Sequence, residues 1–286
     1  MSMSKIKDKE LDELLAELDK VGADKAEEED TRRYIKTLRI WELAVLLVLA
    51  VSIFTLIKPE FVIPKGDIIL PVLVAVVIIG YIFFLQKRRK YISTILLQDC
   101  NVEKMLGVQR ISILKFRNKR ERARNFYTMI KTLIMGGYTD LAQKYIDKMA
   151  EYAEPHLSRI YGAILKMEVY LKLEDFRAMG REMTEMKRIN KEERITPDML
   201  QIYRSGAVIY ELASKWDMEE YEALLKMLEK VATAAEVTNL ARVRASYYAY
   251  RVAQKMGDKE KEQTYKNYVV ENGGTTFYKK ELASAN

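Results

Sequence analysis

The sequence, 286 residues long, predicts an all-α protein: a two-helix transmembrane hairpin followed by an α-solenoid of about four helical hairpins. Two observations favour this fold. Two almost uncharged apolar runs lie between residues 40 and 85. From about residue 120 onward, apolar side chains recur with helical spacing and almost without the alternation typical of strands. The predicted segments are an acidic N-terminal segment (1–37), the transmembrane hairpin (38–86), a basic stalk and leading helix (87–119), the repeat domain (120–274) and a C-terminal tail (275–286).

The acidic segment carries four leucines at helical spacing. Residues 1–30 contain 5 Lys/Arg and 11 Asp/Glu, and Leu11, Leu14, Leu15 and Leu18 fall at i, i+3, i+4 and i+7. A short amphipathic helix is therefore predicted. Such a helix is marginal alone in water, so its apolar stripe needs a partner: the cytoplasmic domain, another subunit or another protein. A solvated tail is the alternative.

Each apolar run has the length of a membrane span. The runs 40–57 and 68–85 contain 18 residues each. At about 1.5 Å per residue, they roughly match a hydrocarbon core of about 30 Å. Neither run has a polar stripe, so a surface helix would leave apolar side chains uncovered. The alternative is a buried core hairpin of a soluble protein, which two consecutive runs disfavour.

Cations flank the outer ends of both runs. Arg32, Arg33, Lys36 and Arg39 precede the first run and residues 87–90 are all cationic, whereas acids balance the two lysines of the connector 58–67. Because cationic loops stay in the cytoplasm, we expect a cell-membrane protein with both termini cytoplasmic. A cleaved signal peptide is not expected, because the first run begins near residue 40 without a small-residue cleavage site.

A basic cluster follows the stalk, and two interpretations of it stay open. Its members are Lys115, Arg117, Lys119, Arg120, Arg122 and Arg124. The cluster is predicted either to contact anionic lipid, at about 1 kcal/mol per cation, or to form an ordinary helix surface. No basic face with interleaved aromatic residues dominates the soluble domain, so nucleic acid is not an expected partner.

The sequence of the repeat domain predicts consecutive helices that are separated by turn residues. The breaks define four pairs that open near residues 120, 156, 198 and 237. One helix is apolar almost all round and is predicted to be an inner one; it carries Ile160, Tyr161, Ile164, Leu165, Met167, Val169 and Leu171. Helix pairs of this length bury their apolar faces by stacking on neighbouring pairs, and this stacking is what stabilises a solenoid.

Two segments carry a family resemblance. The run Gly137–Met149, with the small residue Ala142, resembles the turn and second helix of a tetratricopeptide repeat (TPR), and Gly257–Tyr265 is similar in form. The stretches 99–104 and 268–274 resemble those of two-span bacterial membrane proteins that carry such a domain. The resemblance implies a TPR-like α-solenoid.

An internal correspondence singles out six candidate peptide-binding residues. Lys131, Tyr127 and Arg124 lie six, ten and thirteen residues before Gly137, and Arg251, Tyr247 and Arg244 lie at the same distances before Gly257. In TPR domains these positions look into the concave groove that holds peptides. The resemblance thus implies that the cations meet ligand carboxylates while the tyrosines give flat contacts. The alternative is outward-facing cations over a buried tyrosine.

Catalytic motifs are absent from the sequence. Cys100 and His156 are single, which excludes an intramolecular disulfide and a Cys/His metal cluster. No phosphate-binding glycine loop or nucleophile elbow occurs, so neither an enzyme nor a cofactor is expected. Cys100 is interpreted as packing at a helix start and His156 as a surface or capping residue.

The sequence therefore predicts a membrane-anchored interaction scaffold whose cytoplasmic domain binds a peptide or protein partner. The alternative is a structural or accessory subunit of a larger membrane complex, in which the hairpin packs on other spans. The sequence fixes neither the partner nor the oligomeric state.

Overall fold

The computed structural model describes residue 13 and residues 16–57, 66–113, 119–152, 154–192 and 196–284, and this part of the chain is helical, without strands. Its helices are α1 (Lys25–Ile57), α2 (Gly66–Leu97), α3 (Val102–Ser112), α4 (Lys119–Gly136), α5 (Thr139–Tyr152), α6 (Pro155–Leu173), α7 (Phe176–Glu192), α8 (Pro197–Asp217), α9 (Tyr221–Ala232), α10 (Asn239–Met256), α11 (Lys259–Asn272) and α12 (Phe277–Ser284). The chain divides into two compact units: Lys25–Thr94, and Met1–Asp24 together with Ile95–Asn286.

Two helices are long and apolar enough to cross a bilayer. The candidate spans are Lys25–Thr55 and Leu70–Leu97, and none of the described side chains in their apolar stretches is buried. A core helix of a soluble protein would bury such side chains. With 33 residues, α1 is about 50 Å long, more than the roughly 30 Å of a hydrocarbon core. Residues 25–37, assigned to the acidic segment from the sequence, thus belong to the same helix as the first apolar run.

Aromatic side chains pack α1 against α2. Tyr34 stacks on Phe84 with a centroid distance of 4.9 Å. Further along α1, the indole of Trp41 fills the space where a side chain of Gly80 would stand, 2.8 Å from its Cβ position. Because residue numbers rise along α1 as they fall along α2, the two helices are antiparallel. The connector residues 58–65 lie outside the described part.

A polar cluster continues this packing beyond the apolar runs. Arg88 donates hydrogen bonds to Thr31 (2.6 Å) and Glu27 (3.4 Å), and the Tyr91 hydroxyl donates to Glu27 (2.6 Å). The Arg88 guanidinium also lies 5.1 Å from the ring centre of Tyr34. Since Glu27 is 4% exposed, this charge is balanced by Arg88 rather than by water.

The second unit contains four described helical hairpins with the same turn. They are α4/α5, α6/α7, α8/α9 and α10/α11, and their first helices begin at residues 119, 155, 197 and 239, where the sequence breaks place them. At each turn, one residue adopts positive φ: Gly137, Glu174, Glu219 and Gly257. The N–H of that residue bonds to the carbonyl three residues back, and the next N–H bonds to the carbonyl five back, which is a Schellman C-cap.

Helix α6 is an inner helix, as its sequence predicts. All seven of its predicted apolar positions are buried, with Ile160, Leu165 and Met167 at 0% exposed. The helix contacts α4, α5, α7 and α8. Its burial explains why it lacks the polar stripe that a surface helix requires.

The N-terminal segment docks on this helical unit. Leu18 is fully buried, and the carboxylate of Glu17 accepts from Lys144 and from the Tyr145 hydroxyl on α5. Arg110 of α3 pairs with Asp19 at 2.9 Å. Leu18, the leucine of the stripe that the structure describes, is therefore buried within this unit of the chain. Leu11, Leu14 and Leu15 lie outside the described residues.

A glycine of α3 makes the close approach of this segment possible. The Asp24 N–H donates to the Glu103 carbonyl at 3.1 Å, and a Cβ on Gly107 would lie 2.5 Å from the Asp24 carbonyl oxygen. Backbone oxygen cannot give way as a flexible side-chain end can. Gly107 is therefore the contact point for the end of the docked segment.

Replacing Gly107 by Ala is expected to undock residues 16–24 and to cost about 1–3 kcal/mol in unfolding free energy by overpacking. The matched control is Gly162→Ala in α6, whose added Cβ would meet Met149 and Ile146 at 3.8 and 3.9 Å. Removing glycine from a helix interior there should stabilise by up to about 1 kcal/mol. Hydrogen exchange of residues 16–24 measures the docking. Equal protection in both variants would contradict the role of Gly107 as the contact point for these residues.

The first and last parts of the helical unit meet at a junction of residues 98–102 with residues 272–276, the terminal junction. The Thr275 N–H donates to the Cys100 carbonyl at 3.1 Å, and the Val102 N–H donates to the Thr275 hydroxyl at 2.8 Å. The amide of Asn239 donates to the Gln98 carbonyl at 2.8 Å. Helix α12 starts directly after this junction.

Candidate peptide-binding surface

The six predicted residues lie on α4 and α10, the first helices of the first and fourth hairpins. Arg124 is exposed, one turn before Tyr127 on the same side of α4. The side chains of the other five residues contact α6, α8, the α6/α7 turn or α12. We call the side chains of the following residues the inner face: Tyr127, Lys131, Tyr161, Glu168, Lys172, Arg244 and Tyr247.

A buried carboxylate is the centre of the inner face. Glu168 of α6 pairs with Lys131 of α4 (3.8 Å) and with Arg244 of α10 (3.3 Å), and its own side chain is only 4% exposed. Two of the predicted cations thus converge on one acid of the same chain. From the sequence, these cations are predicted to bind ligand carboxylates. In the structure, they pair with a carboxylate of the same chain instead.

The two cations keep this carboxylate charged. Burial alone would raise the pKa of Glu168, but the charges of Lys131 and Arg244 lower the pKa below its usual 4.5. Burial would in turn lower the pKa of Arg244, and Glu168 reverses the direction of that shift. An ionised acid held between two cations serves electrostatic pairing rather than proton transfer.

The stability of the helical unit should therefore fall in acid. Because the folded-state pKa of Glu168 lies below its unfolded value near 4.5, its contribution is present above pH 4.5 and is lost as pH falls through the folded value. Urea unfolding at pH 6 and at pH 3.5 measures this, and the loss from this group should vanish in Glu168→Gln. An identical pH dependence in that variant would contradict the assignment.

Aromatic contacts line the face beside Glu168. Tyr127 packs on Tyr161 of α6 with ring centres 4.6 Å apart, and the Lys131 ammonium lies 5.9 Å from the Tyr127 ring centre. Burial, with the negative charge of Glu168, raises the pKa of Tyr127. The phenol therefore stays neutral and provides a flat amphipathic contact.

Arg251 lies at the edge of a cleft between α6, α8 and α10. It pairs with Glu174, the left-handed residue of the α6/α7 turn, and its guanidinium lies 5.4 Å from the ring centre of Trp216. The cleft is lined by Leu171, Glu174, Phe176, Trp216, Tyr248 and Arg251. The carboxylate that meets Arg251 in this cleft is that of Glu174, so this predicted cation is also paired within the chain.

Tyr247 holds the C-terminal helix α12. Its hydroxyl donates to Glu281 at 2.7 Å, and its ring lies 5.6 Å from that of Phe277 and 4.9 Å from that of Tyr278. Burial and the hydrogen bond to Glu281 both raise the pKa of Tyr247. One of the predicted ligand-contacting tyrosines is thus occupied by a segment of the same chain.

Lys172 of α6 completes the contact with α12. Its ammonium lies 4.3 Å from the ring centre of Phe277 and donates to the Thr139 hydroxyl (3.0 Å) and the Gly137 carbonyl (3.3 Å). Burial lowers the pKa of Lys172, although the charge of Glu281 partly opposes the shift. Helix α12 therefore bridges α10, α6 and the α4/α5 turn.

Sequence reasoning missed Glu168 and α12, although both had a signal. Glu168 lies six residues before the turn residue Glu174, the same register as Lys131 before Gly137. Glu168 is the only acid in α6 and lies among apolar neighbours, which indicates a charge partner at that register. In the segment treated as a tail, Phe277, Tyr278 and Leu282 share one helical side.

Cys100 packs at a helix start, as its sequence position predicts. The side chain is fully buried, just before the Asn101 N-cap of α3, and burial raises the pKa of the Cys100 thiol to about 11. The side chain of His156 lies outside the described residues. In the part of the chain that the structure describes, no group of three or more His, Cys, Asp or Glu residues could hold a metal ion.

Cys100 should resist alkylation in the folded protein. A pKa near 11 instead of 9 lowers the thiolate fraction at neutral pH about 100-fold. Because the thiolate is the nucleophile, alkylation of Cys100 should slow accordingly. Iodoacetamide labelling followed by mass spectrometry, with and without denaturant, measures this. Rapid labelling of the native protein would contradict the buried position.

No protein-family model, curated protein sequence or solved structure matches this chain.

Proposed function

We propose that the protein is a membrane-anchored interaction scaffold. In this proposal α1 and α2 span the bilayer with both chain termini in the cytoplasm. The hairpins from α4 to α11 form a TPR-like α-solenoid whose inner face binds a peptide or protein segment. The partner chemistry is an acidic and aromatic segment, because Tyr247 on the inner face donates a hydrogen bond to a carboxylate and packs against aromatic rings.

One observation carries this proposal: the inner face already holds a helix. Tyr247 binds the carboxylate of Glu281 while packing on Phe277, so this face has the shape and chemistry for a helical ligand with an acid and an aromatic residue. Exposed Arg124 extends the same side of α4 by one turn.

Site-specific photo-crosslinking tests this function in native membranes. The full-length chain carries a photoreactive residue at Arg124, with exposed Lys226 on α9 as the matched control position. We expect a discrete adduct heavier than the monomer from position 124 and not from position 226. No adduct at 124, or the same adduct at both positions, would contradict an interaction through this face.

The accessory-subunit alternative makes a different prediction for the same experiment. A subunit of a larger complex would crosslink through its spans, for example at exposed Phe83 (69%), and would migrate as a stable complex in mild detergent. A homogeneous monomer in detergent with an adduct at position 124 would favour the scaffold.

Cysteine accessibility tests the proposed topology. In a Cys100→Ser background, single cysteines replace Lys65 in the connector and, in separate variants, exposed Ser93 and Ser284. We expect an impermeant maleimide added outside intact cells to label position 65 only. Labelling at 93 or 284 from outside would place the helical domain on the other side of the membrane.

A further inference from the structure

Helix α12 has the features of a bound ligand rather than of a repeat. It contains eight residues and follows the Gly273–Gly274 pair. A helix of this length is not stable alone in water, so its order depends on the surface beneath it. Its buried side chains, Phe277, Tyr278 and Leu282, are 6%, 4% and 2% exposed.

The anchors of α12 share one helical side. Phe277, Tyr278 and Leu282 fall at i, i+1 and i+5 and are buried, whereas Glu281, at i+4, is exposed like Lys280, Ala283 and Ser284. This is the pattern of an amphipathic helix that lies in a groove. The surface receiving it includes Tyr247 and Lys172, which bind its acid and its first aromatic ring.

The connection before α12 is held independently of α12 itself. Thr275 bonds to Cys100 and Val102 in the terminal junction, and these bonds use no atom of residues 276–286. Release of α12 from the inner face therefore does not require the junction to open.

We propose that α12 is an internal ligand of the inner face. It competes with a helical segment of another protein that presents two adjacent aromatic residues, an acid at i+4 and leucine at i+5. This inference rests on the proposed function and specifies its partner. The apparent dissociation constant for the partner equals the intrinsic constant divided by the fraction of time that the face is free of α12.

Peptide binding in trans tests the proposal. The probe is a fluorescent peptide of residues 276–286, measured by anisotropy against the full-length chain and against a chain that ends at Thr275, both in detergent. If α12 occupies its site nine-tenths of the time, the shortened chain should bind about tenfold more tightly. Control peptides carrying Glu281→Gln, or Phe277→Ser with Tyr278→Ser, should bind weakly to both.

Three results would overturn the proposal. The first two are a shortened chain that is folded but does not bind the peptide, and equal affinity of both chains. Peptide affinity that depends on a dimer of the full-length chain would assign the surface to α12 of a second copy, and would also overturn it. An adduct at position 124 without peptide binding would leave the scaffold function standing and remove only this inference.

Hydrogen exchange of the full-length chain tests whether α12 leaves the inner face, even if the shortened chain does not fold. Amides of α12 should exchange faster than those of α10, and addition of the unlabelled 276–286 peptide should accelerate them further. Amides of α12 that are as protected as those of α10, and unchanged by the peptide, would show a fixed structural helix.

Discussion

Replacing Glu168 by Gln is expected to lower the free energy of unfolding of the helical unit by about 3 kcal/mol. The substitution keeps the shape but leaves Lys131 and Arg244 facing each other without their shared acid. Breaking a buried ion pair by removing one partner costs about 3–5 kcal/mol. The lower end applies here, because the side chains of the two cations are 31% and 22% exposed. Urea unfolding followed by Trp216 fluorescence, in a Trp41→Phe background, measures the loss.

Glu185 provides the matched control for this experiment. It also pairs with two arginines, Arg159 at 2.9 Å and Arg188 at 2.7 Å, but its side chain is 35% exposed. Glu185→Gln should cost less than about 1 kcal/mol, because water screens exposed pairs. A further variant, Glu168→Leu with Lys131→Met and Arg244→Met, should recover most of the loss, since an apolar replacement removes the unpaired charges. Equal losses of unfolding free energy in the Glu168 and Glu185 variants would show that burial does not determine how much these ion pairs stabilise the protein.

The sequence predicts helix positions well because helix starts and stops are local. Apolar spacing and turn residues place the first helices of the pairs near residues 120, 156, 198 and 237, and the structure begins them at 119, 155, 197 and 239. The turns at Glu174 and Glu219 also adopt positive φ, although neither residue is a glycine. Their conformation depends on the Schellman hydrogen bonds, which a composition signal does not reveal.

The candidate site is predictable only in part, for a physical reason. Counting residues back from a turn places Lys131 and Arg251 on matching sides of their helices, since the helical period is local. Their partners, Glu168 and Glu174, come from a different hairpin, so the pairing depends on how hairpins stack. Helix α12 is still harder to predict from the sequence, because a segment of eight residues gains its order from the surface on which it packs.

The N-terminal segment shows the same limit. Leucine spacing indicates a helix with one apolar side, and Leu18 is buried as this predicts. The spacing does not choose among the domain, another subunit and another protein. Contacts such as Glu17 with Lys144 and Asp24 with Glu103 place the described end of the segment on the domain, and they join residues distant in sequence.

Replacing Gly274 by Ala should have the largest effect of any single methyl addition considered above. Gly274 has a φ of +55°, and an added Cβ would lie 2.5 Å from the carbonyl oxygens of both Asp99 and Cys100. A left-handed conformation costs a non-glycine residue roughly 1–2 kcal/mol, and overpacking against backbone adds about 1–3 kcal/mol. We therefore expect a loss of about 2–5 kcal/mol and opening of the terminal junction.

Gly257 separates the two contributions. It has a φ of +73° with no heavy atom within 4 Å of its Cβ position, so Gly257→Ala should cost only the roughly 1–2 kcal/mol of the backbone conformation. Cys100 gives a second measure: its alkylation should accelerate in Gly274→Ala and stay slow in Gly257→Ala, because only the former displaces the backbone around the thiol. If both variants lost the same stability and Cys100 stayed protected in both, the terminal junction would not be what holds the two ends of the helical unit together.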